Sequence, residues 1–479
     1  MDLDRRLCDR ARRSRDARFD GRFFIGVTTT RIYCRPICPF RAPKDEHVRY
    51  FPTAAAAEAE GYRPCLRYRP EASPGTPAWL GTAVLVSRAL RLIGEGALDG
   101  QRVEMLADRL GVTARHLRRL FVRHLGAAPH QVALTRRLHF AKKLLDETWL
   151  PIREVAHASG FGSVRHFNSQ IRSTYSQTPT ELRRRSPKRP ATDPNVYRLR
   201  LSYRPPYDWE AVLQFLEAQV IPGVERIDAC GYQRTLSLDD RSGVVTVSPL
   251  PTGRALRLEV RFPDPRKLLV IVESARGAFD LGADPALIAE HLGVDPLLCP
   301  LVKKHPGIRN PEPWDDFEGR VRAMLGPGLA ARVAATFGSR VASAGGVDLL
   351  FPTAAQIERA PLERAGLPPF EALRLRELSR QVEENGSGLF GLGEPDAFPE
   401  DDPRLRAMTA SRSKAELRGR SERWRPWRAY AARLLLAGSR RLEDEKCGRQ
   451  WPRSCFCARP TSPDLRETGA AYSRSAPTI

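Results

Sequence analysis

Residues 102–185 read RVEMLADRLGVTARHLRRLFVRHLGAAPHQVALTRRLHFAKKLLDETWLPIREVAHASGFGSVRHFNSQIRSTYSQTPTELRRR. The stretch carries one pattern twice. In the first copy, Val103, Leu106, Ala107 and Leu110 recur at i, i+3, i+4, i+7, the signature of one helix face. Gly111-Val112 makes a turn, with Gly free to take a positive φ, and Thr113 is placed to cap a second helix. There Leu117, Leu120 and Phe121 point inward, leaving Arg115, His116, Arg118, Arg119 and Arg123 outside. In the second copy Ile152, Val155 and Ala156 form the stripe, Gly160-Phe161 the turn and Ser163 the cap. Phe167 and Ile171 anchor its last helix, with Arg165, His166, Asn168, Gln170 and Arg172 outward. Arg, Asn and Gln are the side chains that read base edges in the major groove.

Residues 129–147 between the copies predict one amphipathic helix, with Leu134, Leu138, Ala141 and Leu145 on its apolar face. Its length is roughly 28 Å at 1.5 Å per residue. Two recognition helices on one face of B-DNA sit about 34 Å apart, so a rigid spacer of this size suits the task. A plain helical bundle with a solvated basic face is the bland alternative; two capped copies with basic outer faces weigh against it. The stretch, including its closing TPTELR (178–183), resembles the DNA-binding domain of AraC/XylS-type regulators. That resemblance implies double-stranded DNA as partner and, for an activator, RNA polymerase as well.

The whole chain has 479 residues and a formal charge of +22, which favours a polyanionic partner. A membrane surface is the competing polyanion. No basic amphipathic helix with an aromatic face stands out, and no apolar run reaches 18 residues, so no membrane partner is expected. The opening MDLDRRLCDRARRSRD has no apolar centre and is not read as a signal peptide. Nine cysteines, an odd count, fit the reducing cytoplasm, with thiols as ligands or nucleophiles rather than disulfides.

Residues 21–27 (GRFFIGV) read as a short strand. Cys34 and Cys38 follow, and Cys65 comes after 26 intervening residues. The spacing is zinc-like, but a four-thiolate site would need cysteine at 68, where Tyr68 stands. A water or Glu71 is the alternative fourth donor. TTTRIYCRPICPFRAP and GYRPCLRYRP, within 21–69, resemble the N-terminal module of Ada-type adaptive-response proteins. The resemblance implies Zn2+, with Cys34, Cys38 and Cys65 as ligands. It also implies that Cys34 accepts methyl groups from DNA phosphotriesters. Arg31, Arg35, Arg41 and Arg67 surround the site and suit phosphate contact.

After a basic, proline-rich linker at 187–194, expected to be flexible, the pattern becomes strand-like. Residues 197–201 and 256–260 alternate, 244–247 are β-branched, and 208–220 read as a helix capped by Asp208. From about 285 the chain turns helical, with short helices expected at 321–325, 329–337, 354–360 and 370–382. The acidic run GEPDAFPEDD (393–402) is either a solvated loop or the source of a catalytic carboxylate. HPGIRNPEPWDDFEGRVRAMLG (305–326), EPDAFPEDD (394–402) and ERWRPWRAYAA (422–432) resemble AlkA-type 3-methyladenine DNA glycosylases of the helix–hairpin–helix superfamily. That resemblance implies alkylated DNA as substrate and Asp402 as the catalytic carboxylate. It would stabilise oxocarbenium-like charge while an already cationic base departs without a general acid.

Three features depart from the family. The polar loop expected after Met324-Leu325-Gly326 is replaced by Pro327-Gly328-Leu329, no Gly-rich hairpin is legible at 384–393, and Leu436 stands where a pocket tryptophan belongs.

The expected architecture is therefore multidomain α+β. It comprises a small zinc-type α/β module (1–76), an all-α double helix–turn–helix (79–186), the linker, an AlkA N-terminal-like α+β domain (195–284), an incomplete helical glycosylase-like domain (285–437), and a disordered tail (438–479). The leading function is a cytoplasmic alkylation-response protein that combines methyl transfer, transcription regulation and base excision. The rivals are a regulator whose enzymatic parts are degenerate, and a basic DNA-binding scaffold.

Overall fold

The computed structural model describes residues 4–39, 43–74, 84–94, 96–184, 193–251, 254–341, 346–385 and 395–447. The linker apart from residues 193–194, Trp79, the 386–394 segment and the tail beyond 447 lie outside the described residues.

The N-terminal module is a four-stranded sheet in the order Val48–Phe51, Phe24–Val27, Ile32–Cys34, Arg63–Pro64. The central strand starts at Phe24 rather than Gly21, because Gly21 turns the chain with φ +75°. Phe24, Tyr33, Phe51 and Tyr62 form the core with the helix Ala54–Ala59. A Cβ at Gly26 would meet the Phe51 and Tyr62 rings at 2.6 and 2.8 Å, so the strand needs glycine there. A helix not foreseen from sequence, Arg5–Ser14, is capped by Asp4 and buries Cys8 and Ala11 against the sheet.

The DNA-binding module follows the repeated pattern closely. Helix Val103–Arg109 leads through Gly111 into Ala114–Leu125, and Ile152–Ala158 leads through Gly160 into Val164–Tyr175. Both glycines have positive φ. Thr113 and Ser163 accept from the backbone N–H groups of His116 and His166, satisfying donors that a helix start otherwise leaves free.

The spacer helix is Pro129–Glu147. It differs from its expected one-sided form: Leu138, Ala141 and Leu145 are buried, but so are Thr135, Arg137 and Lys142 on other faces.

A five-stranded antiparallel sheet comes next, ordered Val196–Ser202, Ala255–Arg261, Arg241–Pro249, Gly231–Leu238, Glu225–Asp228. Tyr197, Leu199 and Leu201 point into the core while Arg198 and Arg200 face out. The helix capped by Asp208 runs Trp209–Glu217 and stops before Ile221-Pro222-Gly223. The inner face of the sheet and the second helix–turn–helix belong to one apolar cluster, from Leu138 through Phe167 and Leu199 to Leu281. The elements on either side of the linker thus share one core.

The C-terminal half is helical. The helices expected at 321–325 and 329–337 are two arms of Asp316–Phe337, meeting at Gly326 (φ +73°, ψ 166°) with no loop between them. Pro327 cannot donate to the preceding turn, and glycine alone tolerates the dihedrals of the joint. Ala354–Arg359 and Pro369–Asn385 follow. The last helix, Arg428–Cys447, extends into the segment expected to be disordered, whose residues 439–446 include several good helix formers.

The sheet is joined to this half by a buried ionic cluster. Arg234 contacts Glu318 at 2.8 Å and Glu225 at 3.3 Å, and Arg322 contacts Glu225 at 2.9 Å and also Glu318. Burial alone raises Glu318, but the two guanidiniums outweigh it and hold the carboxyl below the usual glutamate range. A carboxyl lowered by folding contributes stability that is complete above its unfolded value and vanishes as pH falls through the folded one. Glu318→Gln should therefore lower stability at pH 7 by about 3–5 kcal/mol, because it leaves buried arginines short of a partner. Urea unfolding should show this loss shrinking as the pH is taken below the ordinary glutamate range.

Candidate DNA-binding and repair sites

On the first recognition helix, Arg115, Arg118 and Arg119 are exposed and His116 is half-buried. Arg119 Nη2 lies 3.1 Å from the His116 ring. Arg118 donates to Glu104 of the preceding helix at 2.8 Å. The backbone N–H of Glu104 and that arginine together hold its carboxyl low, so it stays charged. On the second helix, Arg165, His166, Asn168 and Arg172 are all exposed. Both faces are thus presented outward from rigid, capped helices, which is what base readout requires.

The thiols are assembled by a strand register. Ile32 and Tyr33 pair in parallel with Arg63 and Pro64, and Cys65 N–H donates to the Tyr33 carbonyl at 2.9 Å. This sets Cys65 beside Cys34, the end of its strand, and the turn closed by Cys38 N–H on the Arg35 carbonyl brings in the third sulfur. The three thiols hydrogen-bond among themselves. Cys65 is the member held low, by Cys34 and Cys38 and by the backbone N–H groups of Tyr68 and Arg67, while hydrogen bonds with Cys38 and Cys65, together with burial, push Cys34 up. Three soft sulfurs suit zinc in kind. Yet among the described residues no group of three or more His, Cys, Asp or Glu side chains stands at metal-holding geometry, and position 68 supplies no thiolate.

Two expectations around this site are corrected. Glu71 is not turned toward the thiols: it is buried against the spacer helix, 3.7 Å from Lys142 and 3.3 Å from Arg69. Arg35 is not a free phosphate ligand, since it forms a two-pronged contact with Asp20. Arg31, also exposed, bonds the Glu60 carbonyl at 3.0 Å and lies over the Tyr62 ring, and Arg67 is exposed. Arg41 lies outside the described residues.

Asp402 caps the helix Pro403–Met408, accepting from Arg404 N–H at 2.9 Å and pairing with its guanidinium at 2.7 Å. The Arg404 contact keeps the carboxyl below its usual range, so it is ionised at neutral pH. Every other carboxylate of the described run is also paired: Asp396 with Arg425 and Arg428, Glu400 with Arg418, Asp401 with Lys414. Asp401 stays exposed, while Asp396, Glu400 and Asp402 are partly buried beside their partners. The run's pairing with the 422–432 segment was not legible from either stretch alone. A cleft of about 1160 Å³ lies between the modules and includes Trp314, Asp396 and Tyr430, but Asp402 does not line it. Leu436 packs against the helical core formed by Trp424, Trp427 and Leu435.

A three-thiol module, a double helix–turn–helix and a glycosylase-type half on one chain make up a combined regulator and DNA-repair protein. Family descriptions match in the same order: "Metal binding domain of Ada" over residues 7–71, "Helix-turn-helix domain" over 106–185 and "AlkA N-terminal domain" over 198–315. A Mycobacterium tuberculosis protein named "probable bifunctional transcriptional activator/DNA repair enzyme AlkA" is 36% identical over 91% of this chain and 96% of its own length. DNA-3-methyladenine glycosylase 2 of Escherichia coli is 28% identical over 48% of this chain and 94% of its own. The bifunctional transcriptional activator/DNA repair enzyme AdaA of Bacillus subtilis is 29% identical over 36% and 79%. The chain belongs to the family of bifunctional transcriptional activator/DNA repair enzymes of the AlkA type. No described helix is long and apolar enough to cross a membrane.

If Arg165 reads a guanine, Arg165→Ala should weaken binding to a selected specific duplex by about 1–3 kcal/mol and leave binding to random DNA nearly unchanged. Titration of both duplexes by fluorescence anisotropy checks this. Equal losses on the two would assign the residue to phosphate contact.

Proposed function

We propose that this chain is an alkylation-response protein. It takes methyl groups from DNA phosphotriesters onto Cys34, binds specific duplex DNA through the helices Ala114–Leu125 and Val164–Tyr175, and removes alkylated bases with Asp402. The observation that carries this reading is similarity to a bifunctional relative over nearly the whole chain, with three matched domains in order. Cys34, Cys38 and Cys65 would hold Zn2+, whose contribution is to keep sulfur in its nucleophilic thiolate form. In the transfer, Cys34 Sγ bonds the methyl carbon as the carbon–oxygen bond to the triester breaks, and the phosphodiester regains its charge. The methylated sulfur is uncharged, so repulsion between this module and the DNA backbone falls and binding tightens. As an activator, the bound protein would then engage RNA polymerase.

At the other end, the ionised Asp402 carboxylate stabilises positive charge on the sugar as the base departs. Extrusion of the nucleotide costs a few kcal/mol of unstacking. The helix bent at Gly326 has no loop to insert into the base stack, so this half meets that cost with fewer parts. The missing loop favours one second reading, a regulator whose glycosylase half has lost activity.

Two experiments test these readings. Tyr68→Cys should raise zinc content toward one per chain and increase methyl uptake at Cys34, read by metal analysis and intact mass. A native protein that already holds one zinc tightly would show that position 68 is dispensable. Release of 3-methyladenine should be slow on fully paired alkylated duplex, faster on single-stranded or mismatched lesions where extrusion is cheaper, and lost in Asp402→Asn. No release on any substrate, or release indifferent to that substitution, favours the regulator.

A further inference from the structure

One short piece of the N-terminal module touches the far ends of both recognition helices and the spacer between them. Thr53, the cap of the helix Ala54–Ala59, donates its hydroxyl to the Leu125 carbonyl at 2.7 Å in a buried contact. Leu125 is the last residue of the first recognition helix, where carbonyls lack partners within the helix. The next residue, Gly126, has φ +72°, and a Cβ there would lie 2.8 Å from Ala56 and 3.2 Å from Pro52. Arg63 donates to the Ser176 hydroxyl at 2.7 Å, and Ser176, with φ +54°, ends the second recognition helix. Between them, Glu58 accepts from Thr135 of the spacer helix and from the Tyr33 hydroxyl at 2.7 Å, and that hydroxyl lies 3.0 Å from His139.

A helix is a stiff rod. Fixing its far end, and the spacer it shares with its twin, fixes the end that enters the groove. Two recognition helices bind one duplex strongly only if their separation and tilt match the half-sites together. We propose that residues 52–63 act as a gauge for the paired recognition helices. The methyl-accepting module thereby sets which half-site spacing the protein accepts. Thr53 and Arg63 are then positioning residues for DNA recognition, remote from the bases. The proposal rests on the double-recognition reading above.

The test uses the full chain and a duplex selected by the native protein from a random pool. Further duplexes have either half-site scrambled or one base pair inserted between the half-sites. Native protein should lose affinity on every altered duplex. Thr53→Val and Arg63→Ala should lose at least about tenfold on the intact duplex, stay within about twofold on single half-sites, and discriminate less against the inserted base pair. Thr53→Ser, which keeps the hydroxyl, should behave as native. Arg63→Ala alters an exposed contact, so it remains informative if loss of the Thr53 cap impairs folding; thermal unfolding monitors this. Equal losses on intact and single-half-site duplexes, or unchanged spacing preference in Arg63→Ala, would overturn the gauge. If native protein ignores the scrambling of one half-site, the double-recognition reading fails and the gauge falls with it.

Discussion

The structure depends on the burial of the helix Pro129–Glu147 from more than one side. Its Leu138, Ala141 and Leu145 enter the core that the second helix–turn–helix shares with the five-stranded sheet. Its Thr135 and Lys142, which would be solvated in a free DNA-binding domain, are buried and meet Glu58 and Glu71 of the N-terminal module. At its far end Lys143 and Glu147 bond the carbonyl and N–H of Arg200, on the first strand of the sheet. Polar groups can be buried at this density only when each finds a partner. The helix is therefore specified by three modules at once.

What local chemistry controls was legible in the sequence. Thr113 and Ser163 announce their helices because a hydroxyl one residue ahead of a periodic stripe has one favourable use there. Pro129 marks the spacer's first turn for the same kind of reason, since its missing N–H would be unpaired anyway. The alternation of 197–201 and 256–260 reports a sheet with one buried face. Elements whose stability comes from distant partners were not legible. Arg5–Ser14 is rich in arginine, and buried Arg12 is held by Tyr50 and Asp45 from far along the chain. Strands Glu225–Asp228 and Gly231–Leu238 mix polar and apolar residues because their inner side faces the ionic cluster around Arg234.

The same division runs through the sites. The identity of the three cysteines could be read from spacing, but their meeting depends on the parallel pairing of Tyr33 with Pro64, two residues too few to give a strand signal. Glu71 is equally suited by type to a metal or to lysine, and only the position of Lys142 decides between them. The acidic run 394–402 looked exposed because its arginine partners lie as far along the chain as position 428. Gly326-Pro327 was different: glycine followed by proline marks a break in a helical stretch, and the helix bends there.

The common core running from Leu138 to Leu281 bears on how such a fusion can evolve. Joining genes places domains in tandem, and at first each can be lost without harm to its neighbours. Once Phe167 and Ile171 of a DNA-binding unit share an interior with Leu199 and Leu258 of a repair unit, excision of either leaves an apolar wound in the other. Selection on the regulator then preserves the fold of the repair half whether or not that half still acts on bases. The helix Asp316–Phe337, bent at Gly326 with no loop between its arms, sits in a half whose fold this dependence would preserve.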